Sequence, residues 1–255
     1  MATVGELSAL YQNHLLPVLP NGKGICRMCH AYTIANHHYC YQCNQARANL
    51  PACASAVSFV ALAVKGEQLA RDLWVYKNRW SPAARTRPQL GLAALLWRWL
   101  AHHEECLATA AGVNKFPVVT TVPSTTGREE HPLDAIVGTV IGATAERFRP
   151  LLHPGARNDD DREFSAKRFD VDTPAQAVNT TPVLLIDDTF TSGAHAQSAA
   201  ARLIDASYGP VAILCIGRHF NRNPKGKEFR DDAERYYRDA LRLGWDWSRC
   251  CLCSQ

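Results

Sequence analysis

The sequence predicts an α/β protein with a mostly parallel sheet and a small cysteine-rich module at its N-terminus. From Ala56 onward, apolar runs of strand length alternate with segments of helical periodicity, which is the order typical of parallel sheets. Before that point, two C-x-x-C pairs lie in a loop-rich stretch. With 255 residues, of which 47% are hydrophobic and 20% charged, the chain can bury a sizeable core.

Apolar periodicity, together with the glycine and proline residues that interrupt it, predicts the bounds of the core elements. The predicted strands are 56–64, 116–122, 183–186 and 211–216. The predicted helices are 69–77, 90–110, 133–148 and 196–204. The pattern predicts loops at 78–88 and at 150–178, the second long, polar and mobile.

The charge balance and the N-terminus limit the function classes. Lys and Arg total 28 against 24 Asp and Glu, a formal charge of +4, which is too small to indicate nucleic acid as the chief partner. The segment MATVGELSAL has no basic stretch followed by an apolar run, and no stretch approaches the roughly 20 apolar residues of a membrane helix. We therefore expect a cytoplasmic protein with no membrane partner.

The ten cysteines indicate metal binding, because disulfides are rare in the cytoplasm. Cys26, Cys29, Cys40 and Cys43 form two C-x-x-C knuckles, the spacing of a tetrahedral structural zinc site. Cys250 and Cys253 form a third pair, which either helps to build a second site with Cys251, Cys53 or a histidine, or belongs to a frayed tail. We expect Cys53, Cys106 and Cys215 to be small buried hydrophobic residues.

Three parts are expected from this organisation. Residues 1–53 form a zinc-ribbon-like module that could not bury a core without its metal. Residues 54–220 form the α/β core. Residues 221–255 form a helical, cysteine-containing extension.

The segment Val183–Ala194 carries the strongest chemical pattern. A buried-strand run ends in Asp187 and Asp188, and the hydroxyl-rich loop that follows leads through Gly193 into an amphipathic helix. Unpaired N–H groups at a helix N-terminus favour a phosphate, while paired carboxylates beside it suit sugar hydroxyls. The alternative is an Asp-rich turn that merely caps a strand.

The string VLLIDDTFTSGAH resembles the signature of type I phosphoribosyltransferases for 5-phosphoribosyl-1-pyrophosphate (PRPP). The resemblance implies that Asp187 and Asp188 bind the ribose 2- and 3-hydroxyls. It implies that the following loop binds the 5-phosphate through Thr189, Phe190, Thr191, Ser192, Gly193 and Ala194. It also implies a parallel sheet of that family's kind and Mg2+ bound together with PRPP.

The double C-x-x-C module, Gly66-Glu67 and the stretch LWVYK ending at Lys77 resemble the ComF-like branch of that family. The sequence departs from the branch after Val122-Pro123, where STTGREEHPLD replaces its usual basic motif. The family's pyrophosphate loop corresponds to Ser124, Thr125, Thr126, Gly127 and Arg128.

Three cations are candidates for contacts with the pyrophosphate. Arg128 can bind two oxygens with its planar fork. Lys77 either contacts the ligand or caps its helix, and Lys167 with Arg168 could close over the leaving group. The resemblance thus gives catalytic roles to Asp187, Asp188 and Arg128.

The sequence therefore predicts a PRPP-dependent phosphoribosyltransferase that transfers 5-phosphoribosyl to an unidentified small-molecule acceptor and releases pyrophosphate. The alternative is a non-catalytic PRPP sensor or a ComF-like accessory protein that handles nucleic acid. The N-terminal module, with residues 221–255, is the expected hood over the acceptor. No residue is predicted as general base, and a homodimer stays open.

Overall fold

A four-stranded parallel sheet forms the centre of the computed structural model, which describes residues 2–34, 37–77, 81–124, 131–155, 163–172 and 180–253. The strands are β1 (Ala56–Val64), β2 (Val118–Thr121), β3 (Leu152–Pro154), β4 (Phe169–Val171), β5 (Val183–Phe190) and β6 (Val211–Phe220). The helices are α1 (Val4–Ala9), α2 (Tyr41–Asn49), α3 (Gln68–Val75), α4 (Pro82–Ala110), α5 (Pro132–Ala135), α6 (Gly142–Ala145), α7 (Ala194–Asp205) and α8 (Lys227–Leu243). The predicted α/β class with a parallel sheet is confirmed.

The strand order is β1-β6-β5-β2, and all three pairings are parallel. β3 and β4 form a separate antiparallel pair. The residues of the four parallel strands are mostly buried, and β1 and β6 are also largely apolar, as expected for a sheet covered on both faces. Their carboxyl ends therefore lie along one edge, where such sheets bind ligands.

Each face of the sheet has its own hydrophobic cluster. One face packs against α3 and α4, and Leu96 and Trp99 are among its fully buried side chains. The other packs against α7 and α8, and Cys26 and Cys29 of the N-terminal module belong to the same cluster as Phe59 of β1. The cysteine module thus shares a core with the sheet.

Helix α4 begins at Pro82, so the predicted loop over residues 82–88 is wrong. Ser81 caps the helix by accepting a hydrogen bond from the N–H of Ala84, and proline is favoured in a first turn, where its missing N–H has no helical partner. Pro88 removes one internal hydrogen bond. Burial of the apolar side chains that follow it, from Leu92 to Leu107, outweighs that loss.

The single helix predicted over residues 133–148 is also wrong, because the segment is broken into α5, a π-helical turn (Ile136–Val140) and α6. Thr144 donates its hydroxyl to the carbonyl of Val137 at 2.6 Å, which fixes the break. A Cβ on Gly138 would lie 2.6 Å from the Phe148 ring. Close packing of this ring sets the bent path, and apolar periodicity does not reveal it.

The polar segment 150–178, predicted to be a mobile loop, contains β3, β4 and a 3-10 turn (Ala166–Arg168). Pairing of Leu152 with Val171 and burial of Phe169 order these parts. Residues 156–162 and 173–179 lie outside the described residues. In the part of the chain that the structure describes, no helix has the length and apolarity needed to cross a membrane.

Candidate functional site

A cleft of about 510 Å³ lies at the carboxyl ends of β1, β5 and β6. Its polar lining combines cations with hydroxyls from the signature loop: Lys65, Arg71, Lys77, Thr189, Thr191 and His219. We call it the strand-end cleft. It has the composition expected of a binding site for anions.

Asp188 lies inside the protein, with only 2% of its surface exposed. Its Oδ2 accepts a hydrogen bond from the Tyr76 hydroxyl, and its Oδ1 accepts one at 2.6 Å from Nζ of Lys77, whose side chain is 31% exposed. The structure therefore brings together two predicted site residues, Asp188 and Lys77. Both carboxylate oxygens of Asp188 are engaged with the end of α3.

Asp187 is half-buried, and its Oδ1 accepts the N–H of Asp188 at 2.8 Å. Burial, and after it the negative charge of Asp188, raises the pKa of Asp187 to about 7. Asp187 alternates with Asp188 along β5 and so points to the same side of the strand as Thr189. Of the two acids, Asp187 is the less enclosed.

The signature loop connects β5 to α7, as the sequence predicts, but β5 runs on to Phe190 because β6 pairs with it as far as Arg218. Gly193 caps α7 in a left-handed conformation (φ 83°), and a Cβ there would lie 2.2 Å from the Phe190 ring, so only glycine fits. The 12-residue helix α7 directs its first N–H groups and positive dipole end at this loop.

Arg218, a residue that the sequence analysis missed, connects this loop to the cysteine module. It is only 8% exposed. Its Nη1 donates to the carbonyls of Phe190 at 2.9 Å and Thr191 at 3.1 Å, and its Nε donates to the carbonyl of Cys29 at 3.1 Å. The available signal was a cation in the otherwise apolar run Val211–Phe220.

The four predicted metal ligands come together: the Sγ atoms of Cys26, Cys29, Cys40 and Cys43 all lie within 4.8 Å of one another. The group could hold a metal ion, and four thiolates are the donor set of a closed structural zinc site. Nη2 of Arg218 lies 3.6 Å from Sγ of Cys29. The buried guanidinium would offset the excess negative charge of four thiolates around one Zn2+.

The predicted pyrophosphate loop falls largely outside the described residues, which exclude Thr125, Thr126, Gly127 and Arg128. Ser124 is described and follows β2. Arg168 is buried against α7, with Nη1 at 3.2 Å from Nε2 of His195. The exposed Lys167 lines a different groove, beside Arg202. Neither cation lines the strand-end cleft.

Two further residues line the cleft: Lys65, to which the sequence analysis gave no role, and Gly66, which it named only as part of the ComF-like resemblance. They directly follow β1, and Gly66 adopts φ 91°, a turn that suits glycine. A cation and a glycine after a buried parallel strand were the available signal. His219 also lines the cleft, and burial, followed by the charges of Arg218 and Lys65, lowers its pKa.

A second pocket of about 410 Å³ adjoins the strand-end cleft and shares Thr191 and His219 with it. The cysteine module, the end of β6 and α8 line it with aromatic rings: Tyr32, Tyr41, Phe220, Phe229 and Tyr236. We call it the aromatic pocket.

No protein family, curated protein or solved structure matched the chain. The resemblance to type I phosphoribosyltransferases therefore rests on the sequence motifs of this chain.

We expect Arg218→Lys to lower the free energy of unfolding by roughly 1–3 kcal/mol, because an ammonium cannot replace hydrogen bonds that a planar guanidinium makes in several directions. Arg222→Lys is the matched control, since Arg222 is partly exposed and stacks on the Tyr237 ring at 4.0 Å. Urea unfolding of the zinc-loaded proteins measures both. Equal stability losses in the two variants would contradict the bridging role.

The raised pKa of Asp187 predicts a pH-dependent loss of stability. Between its ordinary value of 3.8 and about 7, the folded state holds a proton that the unfolded chain releases, so this contribution to stability falls as pH rises. The stability of Asp187→Asn relative to wild type should therefore increase from about pH 5 to about pH 8. The increase should be about 1.4 kcal/mol for each pH unit below about pH 7. Urea unfolding at both pH values should show no such trend for Asp170→Asn, which changes an exposed carboxylate.

Proposed function

We propose that this protein is a PRPP-dependent phosphoribosyltransferase, which transfers 5-phosphoribosyl to an acceptor nucleophile and releases pyrophosphate. The observation that carries the proposal is the signature segment: two acids and a hydroxyl-rich loop at the N-terminus of α7, beside a cleft lined by Lys65, Arg71 and Lys77. A sugar that carries two phosphorylated positions needs this combination of groups.

In this proposal the 5-phosphate binds the loop from Thr189 to Ala194 and the first N–H groups of α7. Asp187 accepts hydrogen bonds from the ribose hydroxyls. Asp188 would do so only if Tyr76 or Lys77 released one of its oxygens, so its first role is to hold Lys77 at the cleft. Lys65 and Arg71, together with the pyrophosphate loop Ser124–Arg128, would bind the diphosphate.

The reaction would break the bond between the anomeric carbon and a diphosphate oxygen. The electron pair leaves with pyrophosphate while the acceptor forms the new bond, and positive charge develops on the ring in between. Above about pH 7, where Asp187 is ionised, its negative charge favours that ring charge, and the cleft cations stabilise the leaving group as its charge appears. A neutral acceptor would also lose a proton, for which no described residue is assigned.

Mg2+ suits polyphosphate and sugar oxygens and would stabilise the leaving diphosphate. Among the described residues, the only groups of three or more candidate metal ligands are the two that contain cysteines, so Mg2+ would bind together with PRPP. The role proposed for zinc in the Cys26–Cys43 module is structural.

The aromatic pocket is the proposed acceptor site. It shares Thr191 and His219 with the strand-end cleft, so a molecule held there would lie beside the sugar. Rings such as Tyr32 and Phe220, which meet edge to face with centroids 6.2 Å apart, offer surfaces for a planar acceptor. The cysteine module and α8 would together form the hood over the acceptor.

One observation favours the second candidate function, a PRPP sensor without turnover. Asp188 is buried, and Tyr76 and Lys77 bind both of its oxygens, so one of the two signature acids is occupied. A protein that only binds PRPP would tolerate this arrangement. Cytoplasmic location is a further expectation from the sequence, nucleic-acid handling belongs only to the alternative function, and a homodimer stays open.

Calorimetry tests the binding. We expect PRPP with Mg2+ to bind more tightly than ribose 5-phosphate, because the cleft cations add contacts to the diphosphate. At pH 8, where Asp187 is mostly ionised, Asp187→Asn should weaken PRPP binding by roughly 1.5–3 kcal/mol, or about tenfold to a hundredfold, because it removes charge-assisted hydrogen bonds to the ribose.

Asp170→Asn, a change of an exposed carboxylate away from the cleft, serves as the control and should leave affinity unchanged. Equal affinity for PRPP and ribose 5-phosphate would refute the proposed site.

The same samples, incubated with a panel of bases, amines and other nucleophiles, separate the two functions. Pyrophosphate release supports the transferase, and tight binding without release supports the sensor.

A further inference from the structure

A second group of metal-ligating side chains lies where the C-terminal turn meets helix α4. His103 and Cys106 are three residues apart on α4 and so share one face of the helix. Cys250 and Cys253 form the turn that packs against them. The four ligand atoms all lie within 4.8 Å of one another, far from the Cys26–Cys43 group in sequence.

The distances fit a single tetrahedral ion. With zinc–sulfur and zinc–nitrogen bonds of about 2.3 and 2.0 Å, tetrahedral ligands lie about 3.8 Å apart for two sulfurs and about 3.5 Å apart for sulfur and nitrogen. Sγ of Cys253 lies 3.7 Å from Sγ of Cys106 and 3.6 Å from Nδ1 of His103. Sγ of Cys106 lies 3.8 Å from the same Nδ1.

The orientation of His103 is fixed in the way that a metal requires. Its ring is buried, and Nε2 lies 2.9 Å from the carbonyl oxygen of Trp247. A carbonyl only accepts, so Nε2 must carry the proton. Nδ1, which faces the thiols, then offers its lone pair, and a backbone carbonyl on the far nitrogen is the usual support of a metal-binding histidine.

Backbone groups of the turn also point at the sulfurs. The N–H of Leu252 donates to Sγ of Cys250 at 3.4 Å, and the N–H of Cys250 donates to Sγ of Cys253 at 3.2 Å. The turn thus directs a backbone N–H group at each of these two sulfurs.

We propose that His103, Cys106, Cys250 and Cys253 bind a second structural Zn2+. Three thiolates and one imidazole form a closed donor set with no open position for substrate. The ion would tie the end of the chain to α4. Cys251, between two of the ligands, is thereby placed with Sγ 3.4 Å from the Ser58 hydroxyl on β1.

A Cys250–Cys253 disulfide is the competing arrangement. Their Sγ atoms lie 3.3 Å apart, well beyond the roughly 2.05 Å of a disulfide bond. A disulfide between Cys250 and Cys253 could not bind His103 or Cys106, so it would not explain why these two side chains lie beside the same sulfurs. The metal site accounts for all four side chains, and it does not depend on PRPP binding.

Zinc content of the full-length protein, purified without chelator, tests the proposal. We expect about two zinc ions per chain in the wild type and about one after the double substitution Cys250→Ser and Cys253→Ser, because two ligands do not retain structural zinc. Cys53→Ser, which changes a partly buried cysteine outside both groups, is the matched control and should keep about two.

Zinc X-ray absorption of the wild type decides the matter even if the double variant does not fold. We expect imidazole scattering from His103 beside the sulfur shell, and loss of that scattering with retained zinc in His103→Cys, since a fourth thiolate can replace the imidazole. One zinc per wild-type chain, an all-sulfur spectrum, or a chain mass short by two hydrogens, as a disulfide requires, would each overturn the second site.

Discussion

The buried guanidinium of Arg218 is the interaction on which the arrangement of the site depends. A cation at 8% exposure is strongly unfavourable unless its donors are satisfied. Here carbonyls of the signature loop and the carbonyl and sulfur of Cys29 satisfy them. Because one side chain serves both partners, the loop and the cysteine module must adopt their positions together. A metal in the module would therefore also stabilise the signature loop.

Charges of both signs lie close together at the edge of the sheet where the parallel strands end. Lys77 pairs with Asp188, while Lys65 and Arg71 line the cleft, and none of the described lining residues is a carboxylate. The local field favours an anion and also limits how many acids can be ionised together. The raised pKa of Asp187 shows that limit, since a second negative charge beside Asp188 is opposed by burial and by repulsion. A ligand that brings hydroxyls to Asp187 would offset the cost of burying its charge, while the cations would favour the phosphate of the same ligand.

The sequence predicts the parts of this structure that local pattern determines. β1 matches its predicted bounds because a continuous apolar run ends at Lys65-Gly66, and α7 starts at Ala194 because Gly193 supplies the left-handed cap. Features that need long-range packing could not be predicted. The extension of β5 to Phe190 depends on pairing with β6, and the broken segment after Leu133 depends on how Phe148 packs.

Some proposed metal ligands lie far apart in the chain and meet only in the folded structure, which explains why Cys106 was not predicted as a ligand. Cys106 was expected to be an ordinary buried residue, yet it lies beside Cys253, 147 positions away in the chain, and spacing alone cannot reveal such a pair. The N-terminal cysteines could be predicted because both knuckles lie within 18 residues. Arg218 contacts Cys29 across 189 positions, so its bridging role likewise appears only in three dimensions.

A crystal structure of the zinc-loaded protein grown with PRPP and Mg2+ tests the central claim most directly. The account predicts the 5-phosphate in the loop from Thr189 to Ala194, the ribose hydroxyls on Asp187, and the diphosphate in the strand-end cleft beside Lys65. PRPP bound elsewhere, or a phosphate loop that stays empty at saturating PRPP, would contradict it.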